Sequence, residues 1–283
     1  MQGRRTSGRI AGGTVKDSLV EIADLNQLVV VGDLHGDIRA LAAILDGIGH
    51  EFLQDPLNKI VFLGDYVDRG SDSMGVLHTV CRLKQKSPDS VILMRGNCEA
   101  PSEFPFSSHD LPFQIRERFG RDAKMLYNKT LSFFQLLPLA VTVKGALLMV
   151  HGGLPTEACE PQQIATAAKN HVRSRVMEEI LWNDPRDIDA PPWWRTSSRG
   201  IGHYFGSEIT QRWLAATETR AVVRGHEPCQ GYGIAHGGAV ITVFSTKEAY
   251  SSFGVAYIAI GLEDLGSIRN ARDLVPHVKI LDL

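Results

Sequence analysis

The clearest structural signal in the chain is the stretch KIVFLGDYVDRG, residues 59–70. Its apolar half, Lys59–Leu63, is short and rich in β-branched residues like a buried strand, and the glycines and aspartates that follow break it sharply. The same order occurs upstream, where QLVVV (27–31) runs into GDLHGD, and downstream, where SVILM (90–94) runs into RGNCE. Apolar residues at helical spacing separate the three runs, so the pattern predicts βαβ units and a largely parallel sheet.

The second half of the chain is less regular. AVTVKGALLMV, residues 140–150, predicts a hairpin with its turn at Lys144–Gly145. Residues 161–182 predict one long helix, and later apolar runs predict the final strands. The proline-rich, polar stretch 183–202 is too long for a simple connection, and we interpret it as a functional loop.

The bulk composition excludes several classes of protein. The 283 residues carry a formal net charge of -2, which leaves no basic field for nucleic acid. No apolar run approaches a membrane span, and the four cysteines are scattered, which argues against a disulfide scaffold and for a reducing, cytoplasmic location. We expect one α/β domain over residues 1–283, with a flexible tail over residues 1–20. The composition leaves the oligomeric state open.

Residues suited to metal binding follow one predicted strand after another. In an α/β sheet ligands bind at the carboxyl ends of the strands, so we expect these side chains to converge. Two carboxylates, three histidines and one asparagine suit one or two divalent ions such as manganese, iron, zinc or magnesium, with no thiolate needed. The six residues are Asp33, His35, Asp65, Asn97, His151 and His226.

Five motifs, taken in order, resemble the metal-dependent phosphoprotein phosphatase family, which includes calcineurin. They are GDLHGD, GDYVDRG, RGN-E, HGGL and RGH, and the resemblance extends from about Gln27 to Tyr250. The compact form is similar to that of the microbial serine/threonine protein phosphatases. The resemblance implies a calcineurin-like metallophosphatase fold, with a central β-sandwich flanked by helices. It also implies hydrolysis of phosphoserine and phosphothreonine in phosphorylated proteins by a metal-activated water.

The resemblance further implies a binuclear metal centre, with manganese as the first expectation. Asp65 would bridge the two ions. Asp33 and His35 would complete the first site, and Asn97, His151 and His226 would complete the second.

The resemblance also implies a set of residues that bind and transform the phosphate. Two arginines would bind it, Arg69 from VDRG and Arg199 from SSRGIGHYFG, because guanidinium groups bind phosphate oxygens in pairs. Tyr250 and Asn97 would complete the substrate contacts. Asp68 would act in catalysis as the partner of a proton donor.

Cys98 is where the chain departs from this family. The family has a histidine at this position, which pairs with the aspartate matching Asp68 and protonates the leaving alkoxide. None of the four cysteines has an arginine six residues later, so the C-x5-R loop of cysteine phosphatases is missing and a nucleophilic Cys98 is disfavoured. We interpret Cys98 as a small packed thiol. The neutral thiol itself could donate a proton, though poorly, or His109 or a water could supply it, and the sequence leaves that choice open.

Other functions remain open at the level of sequence. Within the same superfamily, the motifs also fit a diadenosine tetraphosphate hydrolase or a phosphatase that accepts phosphotyrosine. From a different class, the replacement at Cys98 suggests a weakened phosphoprotein-binding module. Against that module, every expected metal ligand and both arginines are present, and a pure binder has no use for a centre that activates water.

Overall fold

The protein is described by a computed structural model that covers residues 7–169 and 173–283. The strands are β1 (Gly8–Ile10), β2 (Gly13–Lys16), β3 (Leu19–Ile22), β4 (Gln27–Val31), β5 (Lys59–Phe62), β6 (Val91–Leu93), β7 (Ala140–Val143), β8 (Leu147–Val150), β9 (Asp184–Pro185), β10 (Trp194–Thr196), β11 (His203–Phe205), β12 (Ala221–Arg224), β13 (Tyr232–Ala235), β14 (Val240–Val243), β15 (Val255–Gly261) and β16 (Val278–Leu281).

The α-helices are α1 (Ile38–Ile48), α2 (Ser73–Lys86), α3 (Leu111–Phe119), α4 (Ala123–Phe134), α5 (Pro161–Thr166), α6 (Arg175–Trp182), α7 (Ser207–Thr217) and α8 (Leu262–Ser267). Short 3-10 helices lie at Phe52–Gln54, Gly120–Asp122, His236–Gly238 and Ala271–His277. Among the described residues, none of the helices has the length and apolar character needed to cross a bilayer.

Within the described residues, two β-sheets pack face to face. One has the order β16-β15-β4-β5-β6, with β4, β5 and β6 parallel as predicted and β15 antiparallel to β4. The other has the order β1-β2-β3-β7-β8-β12-β14-β13 and contains the predicted hairpin, in which β7 pairs antiparallel with β8. The central β-sandwich and the α/β class are thus confirmed.

Side chains alternate along each strand and so build two packed layers at once. On β4, Leu28 and Val30 pack into the core between the sheets with Val141 of β7. Val29 and Val31, on the other face of the same strand, pack with residues of α1 and α2. Because both faces are covered, the strand is an unbroken apolar run. Helices α5, α6 and α7 cover the outer face of the other sheet in the same way.

The prediction of a flexible tail over residues 1–20 is wrong where the structure describes it. Strands β1, β2 and β3 pair in sequence within the second sheet, and Val15 and Val20 belong to the core between the sheets. Ala11 and Gly12 form the tight turn between β1 and β2, and Gly12 has a φ of 68°, which glycine adopts readily. Residues 1–6 lie outside the described residues.

The long helix predicted over residues 161–182 is also wrong as a single element. Helix α5 ends at Thr166 and α6 begins at Arg175. Ser174 starts the second helix, because its hydroxyl accepts a hydrogen bond from the backbone N–H of Met177, as an N-cap does. Residues 170–172 of the predicted helix lie outside the described residues. The stretch predicted as a loop, 183–202, contains β9 and β10, which join β11 in a small sheet.

The carboxyl ends of strands from both sheets meet at one edge of the sandwich. Strands β4, β5 and β6 run parallel in one sheet, and β8, β12 and β14 run parallel in the other. The segments that follow β4 and β14 touch through a bridge between Asp33 and Phe244. The loops from both sheets therefore open onto the same place, where the fold positions the candidate site.

Candidate metal centre

The chain turns sharply as it leaves β4, β5 and β12. Five non-glycine residues in the turns adopt a left-handed backbone, an uncommon and strained conformation. Such strain persists only where the surroundings fix it, and it concentrates at functional sites. The five are His35 (φ 43°), Asp65 (φ 52°), Asp68 (φ 69°), Arg69 (φ 73°) and His226 (φ 72°).

Glu99 joins the loop that follows β5 to the loop that follows β6, and no role was predicted for this residue. Its carboxylate is buried and accepts hydrogen bonds from the backbone N–H groups of Asp65 (2.8 Å), Tyr66 (2.9 Å) and Gly96 (2.9 Å). Burial, together with the charge of Asp65, raises its pKa well above the usual range. The RGN-E motif contains this glutamate, but only the structure shows that it joins the loops after β5 and β6.

The structure brings the six predicted ligands together into two groups that share Asp65. In the first group, the Nε2 atom of His35 lies 3.5 Å from Oδ2 of Asp65 and 3.7 Å from Oδ2 of Asp33. In the second, Nε2 of His151 lies 3.3 Å from Oδ1 of Asp65, and His226 contributes a further ring nitrogen. The side chains involved are almost fully buried. Asp65 thus presents one oxygen to each group.

Asn97 completes the second group. Its carboxamide end lies 3.0 Å from Nε2 of His151 and 2.7 Å from Nδ1 of His226. His151 contacts the Leu63 carbonyl oxygen through Nδ1 (3.1 Å), so that nitrogen carries the proton and Nε2 keeps its lone pair. With its NH₂ group towards the rings, Asn97 donates to both. With its oxygen there, three lone pairs converge, as they do around a cation.

The electrostatics of the residues alone favour a bound cation. Burial, and then the negative charge of Asp65, raise the pKa of Asp33 to about 8. Burial lowers the pKa of His35 to about 4 and lowers the pKa values of His151 and His226 as well. The imidazoles are therefore neutral near pH 7, which is the form that ligates metals.

One buried oxygen gives an independent test of the fit. Among the described residues, Oδ2 of Asp33 has no hydrogen-bond partner. An unsatisfied buried carboxylate oxygen is costly, and native proteins retain such atoms mainly where they serve a function. The Asp33 oxygen belongs to the first group and is directed at His35, so the donor set fits a divalent ion there.

Arg69 and Tyr250 lie beside the first group. The Nη1 atom of Arg69 is 2.8 Å from Nε2 of His35 and donates to the hydroxyl of Tyr250 at 2.6 Å. The Tyr250 ring centroid lies 5.8 Å from that of His35. The structure therefore brings both residues to the predicted centre. Arg69 is exposed and Tyr250 is partly buried, whereas the predicted ligands are buried.

Arg199 approaches the second group through Asp184, a residue that the sequence analysis missed. Its Nε atom contacts Oδ2 of Asp184 at 2.7 Å, and the other oxygen of Asp184 accepts from the buried Arg224 at 2.8 Å. Oδ1 of Asp184 is 3.9 Å from Nε2 of His226. About a third of the Arg199 side chain remains exposed (32%), so one carboxylate both positions this guanidinium and leaves it accessible.

Asp68 has no hydrogen bond to Cys98 among the described contacts. One of its oxygens accepts from the backbone N–H groups of Asp110 and Leu111, each at 2.8 Å. The other lies 2.9 Å from Nδ1 of His109, whose Nε2 is 2.8 Å from the hydroxyl of Tyr127. A histidine from the loop before α3 therefore pairs with Asp68.

Cys98 is buried against Asp65 instead. Its backbone N–H donates to Oδ1 of Asp65 at 2.9 Å, and its Sγ atom lies 3.3 Å from Oδ2. Burial and the charge of Asp65 raise the pKa of this thiol well above the usual range. The residue is packed, as predicted, but it packs against a predicted metal ligand.

Comparison with known proteins gives a consistent result. A family model described as calcineurin-like phosphoesterase matches residues 27–230. Serine/threonine-protein phosphatase T of Schizosaccharomyces pombe is 33% identical over 260 residues, which are 89% of this chain and 53% of that protein. The chain thus spans about half the length of this curated relative.

Two solved structures show the likeness in three dimensions. A protein serine/threonine phosphatase from Saccharomyces cerevisiae with similarity to human phosphatase PP5 has a TM-score of 0.80 at 25% identity, covering 95% of this chain and 84% of that chain. A cold-active protein-tyrosine phosphatase from a psychrophilic Shewanella has a TM-score of 0.62 at 16% identity, covering 88% of this chain and 78% of that chain. The second likeness is one of fold alone.

Proposed function

Since this chain belongs to the calcineurin-like phosphoesterase family, we propose that it is a metal-dependent phosphoprotein phosphatase that hydrolyses phosphoserine and phosphothreonine. The observation that carries the proposal is Asp65, whose two oxygens face two separate groups of buried ligand atoms. Such a shared carboxylate fits a pair of ions, and paired ions serve in-line displacement at phosphorus. The serine/threonine specificity is supported by the similarity to proteins named as serine/threonine phosphatases.

In this proposal Asp33, His35 and Asp65 hold the first ion. The second is held by Asp65 together with Asn97, His151 and His226. When bound, the two ions supply Lewis acidity that activates a water and neutralises the phosphoryl oxygens. Manganese, iron, zinc and magnesium are all compatible with the oxygen and nitrogen donors, and the preference among them depends on what Cys98 contributes.

Three side chains beside the predicted metal centre bind the phosphoryl group in this proposal. Arg69 lies beside His35, and Arg199 is anchored on Asp184. Guanidinium forks hold phosphate oxygens and neutralise the charge that spreads over them during transfer. Tyr250 keeps Arg69 in place through its hydroxyl and adds a donor for the phosphate.

His109 supplies the proton for the leaving alkoxide in this proposal. Asp68 contacts its Nδ1 atom and so fixes the orientation of the ring. The ring is 15% exposed and packs edge-on to Phe106, which in turn packs against Trp182, a neighbour of His226. When substrate binds, the Nε2–H group of His109 gives up its hydrogen bond to the Tyr127 hydroxyl and donates to the leaving oxygen instead. Catalytic hydrogen bonds often form only with substrate present.

The physiological substrates in this proposal are phosphorylated proteins in the cytoplasm. A reducing location is supported by the described cysteines, which are all free. Neither nucleic acid nor a membrane is expected as a partner, because the net charge is only -2.

A metal-screened assay tests the function. Protein stripped with a chelator should lose activity on a phosphoserine peptide and recover it with divalent ions, with two ions per chain by elemental analysis. Phosphotyrosine peptide and diadenosine tetraphosphate serve as competing substrates. Full activity of metal-free protein would refute the mechanism, and a clear preference for either competitor would refute the substrate class.

A further inference from the structure

Cys98 belongs to a group of donor atoms that the family pattern does not contain. Its Sγ atom, Nε2 of His35 and a carboxylate oxygen of Asp65 all lie within 4.8 Å of one another, and the three residues are buried. The sulfur lies 3.3 Å from Oδ2 of Asp65, which in turn lies 3.5 Å from Nε2 of His35. Oδ2 of Asp33, which has no partner among the described residues, is 3.7 Å from the same nitrogen.

These separations match the edges of a tetrahedral coordination shell. With bonds of about 2.0–2.2 Å to nitrogen and oxygen and about 2.3 Å to sulfur, neighbouring ligands of a tetrahedral ion lie roughly 3.3–3.6 Å apart. The observed edges of 3.3, 3.5 and 3.7 Å need little adjustment. The Cys98 sulfur lies 3.3 Å from Oδ2 of Asp65 and within 4.8 Å of Nε2 of His35, so a single ion fits among these three donor atoms with little adjustment.

The pairing of Asp68 explains why residue 98 is available. A histidine at position 98 would be drawn towards Asp68, as in the family pattern, but here His109 and two backbone N–H groups already occupy that carboxylate. The backbone N–H of Cys98 is held by Oδ1 of Asp65, so the short side chain is directed at Oδ2 of the same residue. A thiol held beside a shared metal ligand is positioned to become a ligand itself.

We propose that Cys98 ligates the ion of the first site as a thiolate, together with Asp33, His35 and Asp65. This inference rests on the metal centre of the proposed function and deepens it. The sulfur forms a bond to the divalent ion, and the thiol proton leaves to solvent. A thiolate selects zinc, ferrous iron or cobalt over manganese and magnesium, because soft donors favour those ions. The first site is then a zinc- or iron-preferring site in this chain.

Cobalt reports on the sulfur directly. Full-length protein stripped with a chelator is titrated with Co²⁺ and followed by absorption, since thiolate ligation produces an intense sulfur-to-cobalt charge-transfer band in the near ultraviolet. The parent protein should show the band. Cys98→Ser should bind cobalt without the charge-transfer band. The control variant Cys229→Ser, which changes a partly buried cysteine, should keep the band. Competition binding should show that Cys98→Ser loses about 10–100-fold of the preference for Zn²⁺ over Mn²⁺.

The outcomes separate this inference from the function on which it rests. If the parent protein binds two cobalt ions without the band, or if Cys98→Ser keeps the band, Cys98 is not a ligand and the phosphatase proposal stands. If the parent protein binds no divalent ion, the metal centre fails and the thiolate ligand fails with it.

Discussion

His109 offers the sharpest test of how the leaving group is protonated. Replacing it with glutamine keeps a polar side chain of similar reach and removes the ring. Asp68 retains the backbone N–H groups of Asp110 and Leu111 at 2.8 Å, so the loop keeps its main anchor. The variant loses the hydrogen bond to the Asp68 carboxylate, worth about 1.5–3 kcal/mol, and the hydrogen bond to the Tyr127 hydroxyl, worth about 0.5–1.5 kcal/mol. Thermal unfolding of His109→Gln should therefore show a folded protein.

The effect on activity should depend on the leaving group. General acid catalysis contributes roughly 10²–10⁴-fold, so kcat/KM of His109→Gln on a phosphoserine peptide should fall by about 10² or more. Nitrophenolate leaves without a proton, and the same variant should lose less than about tenfold on nitrophenyl phosphate. Tyr127→Phe is the matched control and should stay within a few-fold on the peptide, because it frees Nε2. Equal losses of His109→Gln on both substrates would show that His109 only supports the loop.

A histidine introduced at position 98 tests whether a second imidazole beside Asp68 can replace His109 as the proton donor. From sequence alone Asp68 is free to orient a histidine placed there, but the structure shows its second oxygen already paired with His109. Cys98→His alone should therefore gain little on the peptide, assayed with saturating manganese. In the double variant with His109→Gln the new imidazole finds that oxygen free, and part of the lost peptide activity should return. A double variant no better than His109→Gln would refute the shared role of Asp68.

Three further predictions address the metal ligands and the phosphate. Asp65→Asn removes the shared charge and should reduce peptide hydrolysis more than His151→Ala; near-parental activity with two ions bound would contradict a bridging role. Arg69→Ala and Arg199→Ala should each weaken inhibition by phosphate or vanadate and slow turnover, whereas an exposed ion pair worth only about 0–1 kcal/mol would leave inhibition unchanged. In metal-free protein, Asp33 keeps its proton in the folded state up to about pH 8 but loses it near pH 4 when unfolded, so stability should fall by up to about 2 kcal/mol between pH 6.5 and 8. Urea unfolding of Asp33→Asn should show a flatter pH dependence, and an unchanged slope would exclude Asp33 as its source.

The parallel strands and the candidate ligands at their ends were accessible from the sequence because both depend on local signals, whereas the sandwich was implied only by the family resemblance. An apolar run such as β4, buried on both faces, is recognisable without knowing its neighbours. Each predicted metal ligand follows such a strand, and the topology of parallel strands brings those ends together. Strand ends and motifs therefore sufficed to select the six candidate ligands that the structure brings together, and their binding of metal stays a prediction. The interpretation as a single domain over residues 1–283 stays a prediction.

What the sequence could not supply were contacts between distant segments. Asp184 lies outside every motif, yet it joins Arg199 to the buried Arg224. The N-terminal strands were not predicted because a glycine-rich, weakly apolar segment has the composition of a flexible tail. Only its pairing at the edge of a sheet shows that it forms strands. The Cys98 thiol, His109 and a water were all open candidates for the proton donor, and the distance of 2.9 Å between His109 and Asp68 is the contact that favours His109.

The replacement at position 98 and the pairing of His109 form one rearrangement with two separable consequences. The proposed mechanism requires one imidazole beside Asp68. His109, in the loop before α3, provides it, so the mechanism does not require residue 98 as a proton donor. Its side chain then lies against Asp65, where a thiol gains a contact with a carboxylate oxygen and approaches His35. The first consequence concerns proton transfer and is measured by comparing activity on the phosphoserine peptide with activity on nitrophenyl phosphate. The second concerns metal preference and is measured by cobalt absorption. If His109 acts and Cys98 does not bind metal, the thiol is only a packing residue; if Cys98 binds metal and His109 does not act, a water must protonate the leaving group.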